Sequence, residues 1–173
     1  MVDAAVELVD YDVDWPRRFV AERSFLAEVL APWSAGPIEH VGSTAIPGMA
    51  AKPVIDMMAA VESLDASRPA LAALERVGYC YAPYRSDVMH WLCKPNPAVR
   101  TRHLHLVPFG SVLWHDRILF RDRLGADAAL AAEYLALKRE LAVRHAMDRE
   151  AYTDGKGPFI ERVLKEIRAR PGL

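Results

Sequence analysis

The stretch Val54-Ile-Asp-Met-Met-Ala-Ala-Val61 is apolar at every position except Asp56. A run of that length and composition suits a strand covered on both faces of a sheet. A carboxylate inside it is costly to bury without a partner, so Asp56 needs a cation: a divalent metal ion, or an arginine or lysine. The chain is therefore expected to place this strand in a sheet covered on both faces, with a cation of one kind or the other beside Asp56.

The flanking segments fit that frame. Val6–Val9 alternates and is a short strand candidate. Asp14 caps a helix whose first turn carries Trp15 and Pro16 and whose apolar stripe is Phe19, Phe25, Leu26, Val29 and Leu30. Ala35-Gly36-Pro37 breaks that pattern, and Ile38–Val41 reads as a strand. Ser67–Val77 is a predicted helix stopped by Gly78. Tyr79–Ala82, Val88–Lys94 and Arg102–Pro108 read as strands. Ile118–Leu124 then reads as a short helix, a longer one opens at Asp127, and a last one follows Asp154-Gly155. The order predicts one α+β domain over residues 1–173, a mixed sheet with packed helices and a helical C-terminal region.

The chain has 22 basic and 23 acidic side chains, a formal net charge of −1. That balance argues against a platform for duplex nucleic acid or an anionic membrane. The acidic start is not a signal peptide, and no apolar run reaches the ~20 residues of a membrane span, so a cytoplasmic location is expected. Cys80 and Cys93 show no metal-knuckle spacing and are expected as reduced thiols in or near strands. Trp15, Trp33, Trp91 and Trp114 are expected in the core.

The chemistry gathers in two segments. Strand residues ending at His40-Val41 run into Gly42-Ser43-Thr44, where a tight turn, hydroxyls and backbone N–H groups suit a phosphate. Twelve residues then separate Ser43 from Asp56. In His103-Leu104-His105, period two puts both imidazoles on one strand face. His40, His103 and His105 are expected to converge near Asp56. Lys52, Arg102, Arg121, Lys138 and Lys156 are candidates for the mouth of the same site, although Arg121 has Asp122 as a local ion-pair alternative. Lys156 at a helix start opposes the helix dipole, which suggests anion binding or plain exposure.

These words resemble one family. HVGSTAIPGMAAKPVIDM (His40–Met57), HLHLVPFGSVLW (His103–Trp114), FRDRL (Phe120–Leu124), EYLALK (Glu133–Lys138) and YTDGKGPFI (Tyr152–Ile160), with Trp15-Pro16, are similar to the GrpB family. That resemblance implies a nucleotidyltransferase-like fold, in a domain also found fused to dephospho-CoA kinase. It implies a glycine-serine turn for a triphosphate and a strand carboxylate for magnesium. Active polymerases of that fold carry a second acid two residues after the first. Here that position is Met58, a poor magnesium ligand.

Two readings follow. In the first, a transferase binds a nucleoside triphosphate through His40, Gly42, Ser43, Thr44, Lys52, Arg121, Lys138 and Lys156. Asp56, His103 and His105 are its catalytic group. Asp56 and His105 hold a divalent ion, magnesium or manganese, with zinc the alternative. In the second, a catalytically silent nucleotide- or anion-binding module serves as a sensor or partner of a coenzyme-A-pathway kinase.

Overall fold

The computed structural model describes residues 5–169. Helix α1 (Trp15–Leu30) leads into β1 (Ser34–Val41), and the loop at 42–54 returns the chain into β2 (Ile55–Val61). Helix α2 (Leu64–Arg76) and strands β3 (Cys80–Ala82) and β4 (His90–Pro95) follow, then β5 (Arg100–Pro108). The chain ends in α3 (Val112–Ala126), α4 (Ala128–Arg144), α5 (Arg149–Asp154) and α6 (Gly157–Arg168). The five-stranded sheet has the order β1-β2-β5-β4-β3. Only β2 and β5 run parallel among its neighbours.

β2 lies inside the sheet, which explains its apolar run. Ile55, Met57, Ala59 and Val61, with Leu92, Leu104 and Leu106, pack beneath α1 and α2. Met58 and Ala60, with Trp91, Cys93 and Val107, pack beneath Trp114 of α3. A further core joins α3, α4 and α6 through Leu124, Leu130, Tyr134, Phe159 and Val163, and takes in Ile46 and Met49 from the loop at 42–54. That loop thereby spans the sheet and the C-terminal helical layer. Trp15, Trp91 and Trp114 are buried, as expected of core residues, and Trp33 packs against the first core.

Several boundaries differ from the sequence reading. Val6–Val9 forms no strand. It is extended chain held by a bridge from Val9 to Ala51 and by the Val6 N–H donating to the Ala146 carbonyl. β1 runs straight through Ala35-Gly36-Pro37, with a register shift between Ser34 and Ile38. An edge strand tolerates the missing proline N–H there. α2 starts at Leu64 because Ser63 accepts from the Ala66 N–H as its N-cap. α3 starts six residues earlier than expected, at Val112, capped by Ser111. Asp14 takes the N-cap position of α1 but makes no cap bond; its carboxylate pairs with Arg17. Cys80 and Cys93 are free thiols on paired strands. No helix among the described residues is long and apolar enough to cross a membrane.

Candidate functional site

The site begins where β1 ends. Val41 pairs with Asp56 across β1 and β2, so the chain leaves the edge strand beside the carboxylate. Gly42 has φ +71 and ψ −172, a region essentially closed to side-chain-bearing residues. A Cβ at Gly42 would lie 2.6 Å from Asp56 Oδ2. Glycine here serves both demands at once: it makes the turn and leaves the volume the carboxylate occupies.

One register row of the sheet pairs Asp56 with His103, and the next row on the same face pairs Met58 with His105. His103 Nδ1 is 2.8 Å from Asp56 Oδ1, and His105 Nε2 is 3.9 Å from the same oxygen. The first distance is a hydrogen bond from an Nδ1–H and the second is too long for one. His105 Nδ1 lies 3.3 Å from Met89 Sδ, so the natural assignment puts its proton there. Both imidazoles then present bare Nε2 lone pairs. His103 Nε2 and His105 Nε2 are buried without a hydrogen-bond partner.

Burial would raise the Asp56 carboxyl, but the hydrogen bond from His103, with the nearby His105, outweighs it and holds the group well below its ordinary range. The Asp56 side chain keeps 27% exposure, so it opens to solvent. His105, 5% exposed, forms the inner wall. Burial, followed by the nearby Arg117 charge, pushes its imidazole down to about 3. An imidazole that weakly basic stays neutral near pH 7, which suits a ligand better than a general base. Among the described residues the ion-pair contacts of Asp56 are the two histidines, not an arginine or a lysine.

A cationic wall stands nearby. Lys156 Nζ lies 4.5 Å and Lys52 Nζ 5.0 Å from the ring centroid of Tyr152, and Lys138 Nζ lies 5.3 Å from that of Tyr134. Burial and then its neighbour Lys52 lower Lys156 to about 8. Burial and then Lys156 lower Lys138 to about 7. Burial raises the Tyr152 hydroxyl to about 12, with the Asp56 charge adding to the shift. Burial, followed by Tyr152, raises the Tyr134 hydroxyl too, and Ser43 partly offsets the rise. These shifts tie the helical layer to the Ser43 turn and the Asp56 strand.

Five expected contacts lie elsewhere. His40 falls on the opposite sheet face from Asp56, because its neighbour Val41 is the residue that pairs with Asp56. Its ring stacks on Phe19, and its Nε2 is 2.9 Å from Thr44 Oγ1. Thr44 is buried and its hydroxyl donates to the Val54 carbonyl, so it pins the loop rather than facing an anion. Arg121 is occupied by Glu39, Asp122 and the His40 carbonyl. Lys138, 1% exposed, donates to the Ala50 carbonyl at 2.5 Å and lies beneath the wall rather than on it. Arg102 belongs to a network on the other face, 2.7 Å from Glu22. Two participants were not expected. Arg117 lies on the sheet side of α3, with Nη2 3.7 Å from Met89 Sδ, and Asp56 and His105 both feel its charge. Tyr152 gathers two lysines on its ring; the spacing Tyr152 to Lys156, one helical turn, was its signal.

Comparison with known proteins places this geometry. The chain matches the family described as GrpB protein over residues 5–166. It is 32% identical over 167 residues to the glutamate-rich protein GrpB of Alkalihalophilus pseudofirmus, covering 94% of this chain and 95% of that one. Among solved structures, the conserved protein GrpB from Enterococcus faecalis superposes with a TM-score of 0.82 at 31% identity, covering 92% of this chain and 96% of that one. The Cid1 poly(U) polymerase, in a form bound to MgATP, superposes with a TM-score of 0.56 at 16% identity. That match covers 79% of this chain and 45% of the polymerase, a likeness of fold. The chain belongs to the GrpB protein family and has a nucleotidyltransferase-like fold.

Proposed function

We propose that the chain binds a nucleoside triphosphate at the junction of the Gly42-Ser43 turn and the Tyr152 ring, and transfers its nucleotidyl or phosphoryl group to an acceptor. One observation carries the reading. Lys156 is half-buried with no ion-pair partner among the described residues, and it works against the charge of Lys52 while sensing Asp56 across the site. Cations held together against their own repulsion are complementary to a polyphosphate, which would also restore their protonation. The Ser43 hydroxyl adds a neutral donor. The fold neighbour bound to MgATP supports the choice of ligand.

The residues fit a divalent ion only in part. Asp56 supplies a carboxylate, but Met58 stands where a second acid would share its face. The pair of carboxylates needed for two magnesium ions is therefore missing at that strand. An ion held by Asp56 would neutralise charge on the triphosphate; positioning then rests on Lys52, Lys156 and Ser43. The same substitution favours the second reading, in which the pocket binds nucleotide without turnover.

Thermal shift with ATP, CTP, GTP and UTP tests the proposal, using wild type, Lys156→Met and Asp56→Asn. A ligand at a hundredfold excess over its Kd stabilises by about 2.7 kcal/mol, about 5–10 °C for a chain of this size. Lys156→Met should lose most of the shift. No shift with any nucleotide, with or without divalent ions, refutes the reading. Release of pyrophosphate or a transferred phosphate separates the transferase from the silent module.

A further inference from the structure

Asp56, His103 and His105 leave an electrostatic arrangement that the protein's own protons do not resolve. With His103 Nδ1–H donating to Asp56 and His105 Nδ1–H donating to Met89 Sδ, the remaining Nε2 atoms are buried acceptors without donors. The His105 lone pair then faces a carboxylate oxygen 3.9 Å away. Two acceptors facing each other across that gap repel. A neutral ring carries one proton for two nitrogens, so reversing the His105 tautomer turns an N–H toward Asp56 only by leaving Nδ1 bare against the thioether.

The three residues each offer a donor atom within 4.8 Å of the others. Ligands about 2.1 Å from one tetrahedral ion lie about 3.4 Å apart, so closure on an ion draws the donor atoms together by up to about 1.4 Å, a movement that side-chain rotation supplies. The backbone supporting them is rigid: adjacent parallel strands, with Asp56 and His103 in register and His105 one pleat on. Gly42 keeps open the volume next to the carboxylate.

We propose that Asp56, His103 and His105 form a centre selective for one transition-type divalent cation, such as zinc, over magnesium. The proposal deepens the reading above and rests on it for the ion's place beside the triphosphate. The donor set decides the selectivity. Two neutral imidazoles and one carboxylate suit zinc and its neighbours, whereas magnesium prefers oxygen ligands and retains water. Three protein ligands also leave coordination positions open toward the solvent side of Asp56.

The test uses the chelator-stripped full chain titrated with Co²⁺, Zn²⁺ and Mg²⁺, read by calorimetry and by the visible absorption of bound cobalt. One equivalent of Co²⁺ should bind with bands of a coordination number below six. Zn²⁺ should displace it, and a thousandfold excess of Mg²⁺ should not. His103→Gln and His105→Gln should each weaken cobalt binding at least about tenfold. Displacement by magnesium at concentrations like those of zinc overturns the proposal. So does wild-type affinity in a histidine variant that melts cooperatively. Should His105→Gln fail to fold, the part-exposed His103→Gln decides. Triphosphate binding is measured separately on the stripped protein. A Lys156-dependent shift without a cobalt site removes only this proposal; a cobalt site without any triphosphate shift removes only the nucleotide reading.

Discussion

Gly42→Ala should destabilise the protein by about 2–6 kcal/mol, and about 1–2 kcal/mol of that should vanish when Asp56 is shortened. The backbone contribution comes from φ +71 with ψ −172, a conformation whose cost for a side-chain-bearing residue is about 1–3 kcal/mol. The steric contribution comes from a new methyl 2.6 Å from Asp56 Oδ2 and 3.1 Å from its Cγ. Overpacking of that kind costs about 1–3 kcal/mol. Urea unfolding of wild type, Gly42→Ala, Asp56→Ala and the double variant forms a cycle. In the Asp56→Ala background only the 3.0 Å contact to Cβ survives, so the coupling should recover about 1–2 kcal/mol. A Gly42→Ala variant within 1 kcal/mol of wild type would mean that the turn relaxes freely. Full additivity in the cycle would mean that the glycine is not there to accommodate the carboxylate. Either result refutes the account of why Gly42 precedes the site.

Two desolvated lysines make stability depend on pH with a definite sign. Lys138 near 7 and Lys156 near 8 both lie below their unfolded value of 10.5, so the unfolded chain binds more protons in between. Their destabilisation is complete below about pH 7 and relieved as pH rises toward 10.5, by up to several kcal/mol and less after relaxation. Urea melts at pH 7.5 and 9.5 should show wild type gaining at least about 1 kcal/mol relative to the Lys138→Met/Lys156→Met pair; parallel changes would contradict the assignment. Tyr79→Phe removes the 2.8 Å bond to Glu22, which keeps Arg102 at 2.7 Å and Lys94 at 3.4 Å. It should cost about 1–2 kcal/mol in thermal unfolding and leave cobalt and triphosphate binding unchanged, since that network lies on the other sheet face.

Much of the central sheet was legible because its apolar periods are unambiguous. The run around Asp56 specified an interior strand, and period two specified that His103 and His105 share a face. His40 was misplaced for a reason of register: on β1 the face is set by which residue pairs with Asp56, and sequence alone does not say whether that is His40 or Val41. Arg117 escaped notice because α3 was expected to start at Ile118. The Ser111 cap extends the helix backward and turns Arg117 onto the sheet side with Trp114. The turn around Tyr152 was missed as a helix because α5 is only six residues long, too short to show a period. Lys138 shares the buried face of α4 with Tyr134, four residues before it, and was expected at the mouth of the site. The Ala50 carbonyl that holds it comes from a loop 88 residues earlier in the chain, a separation that local pattern cannot reveal.

The loop at 42–54 ties mechanical and chemical roles together. Its middle, through Ile46 and Met49, is rooted in the helical layer, while Thr44 is clamped from the sheet side by His40 and Val54. The two walls of the pocket are thus fastened by a short stretch of chain that also carries Ser43. A movement of the helical layer against the sheet would therefore strain this stretch first, and Ser43 with it.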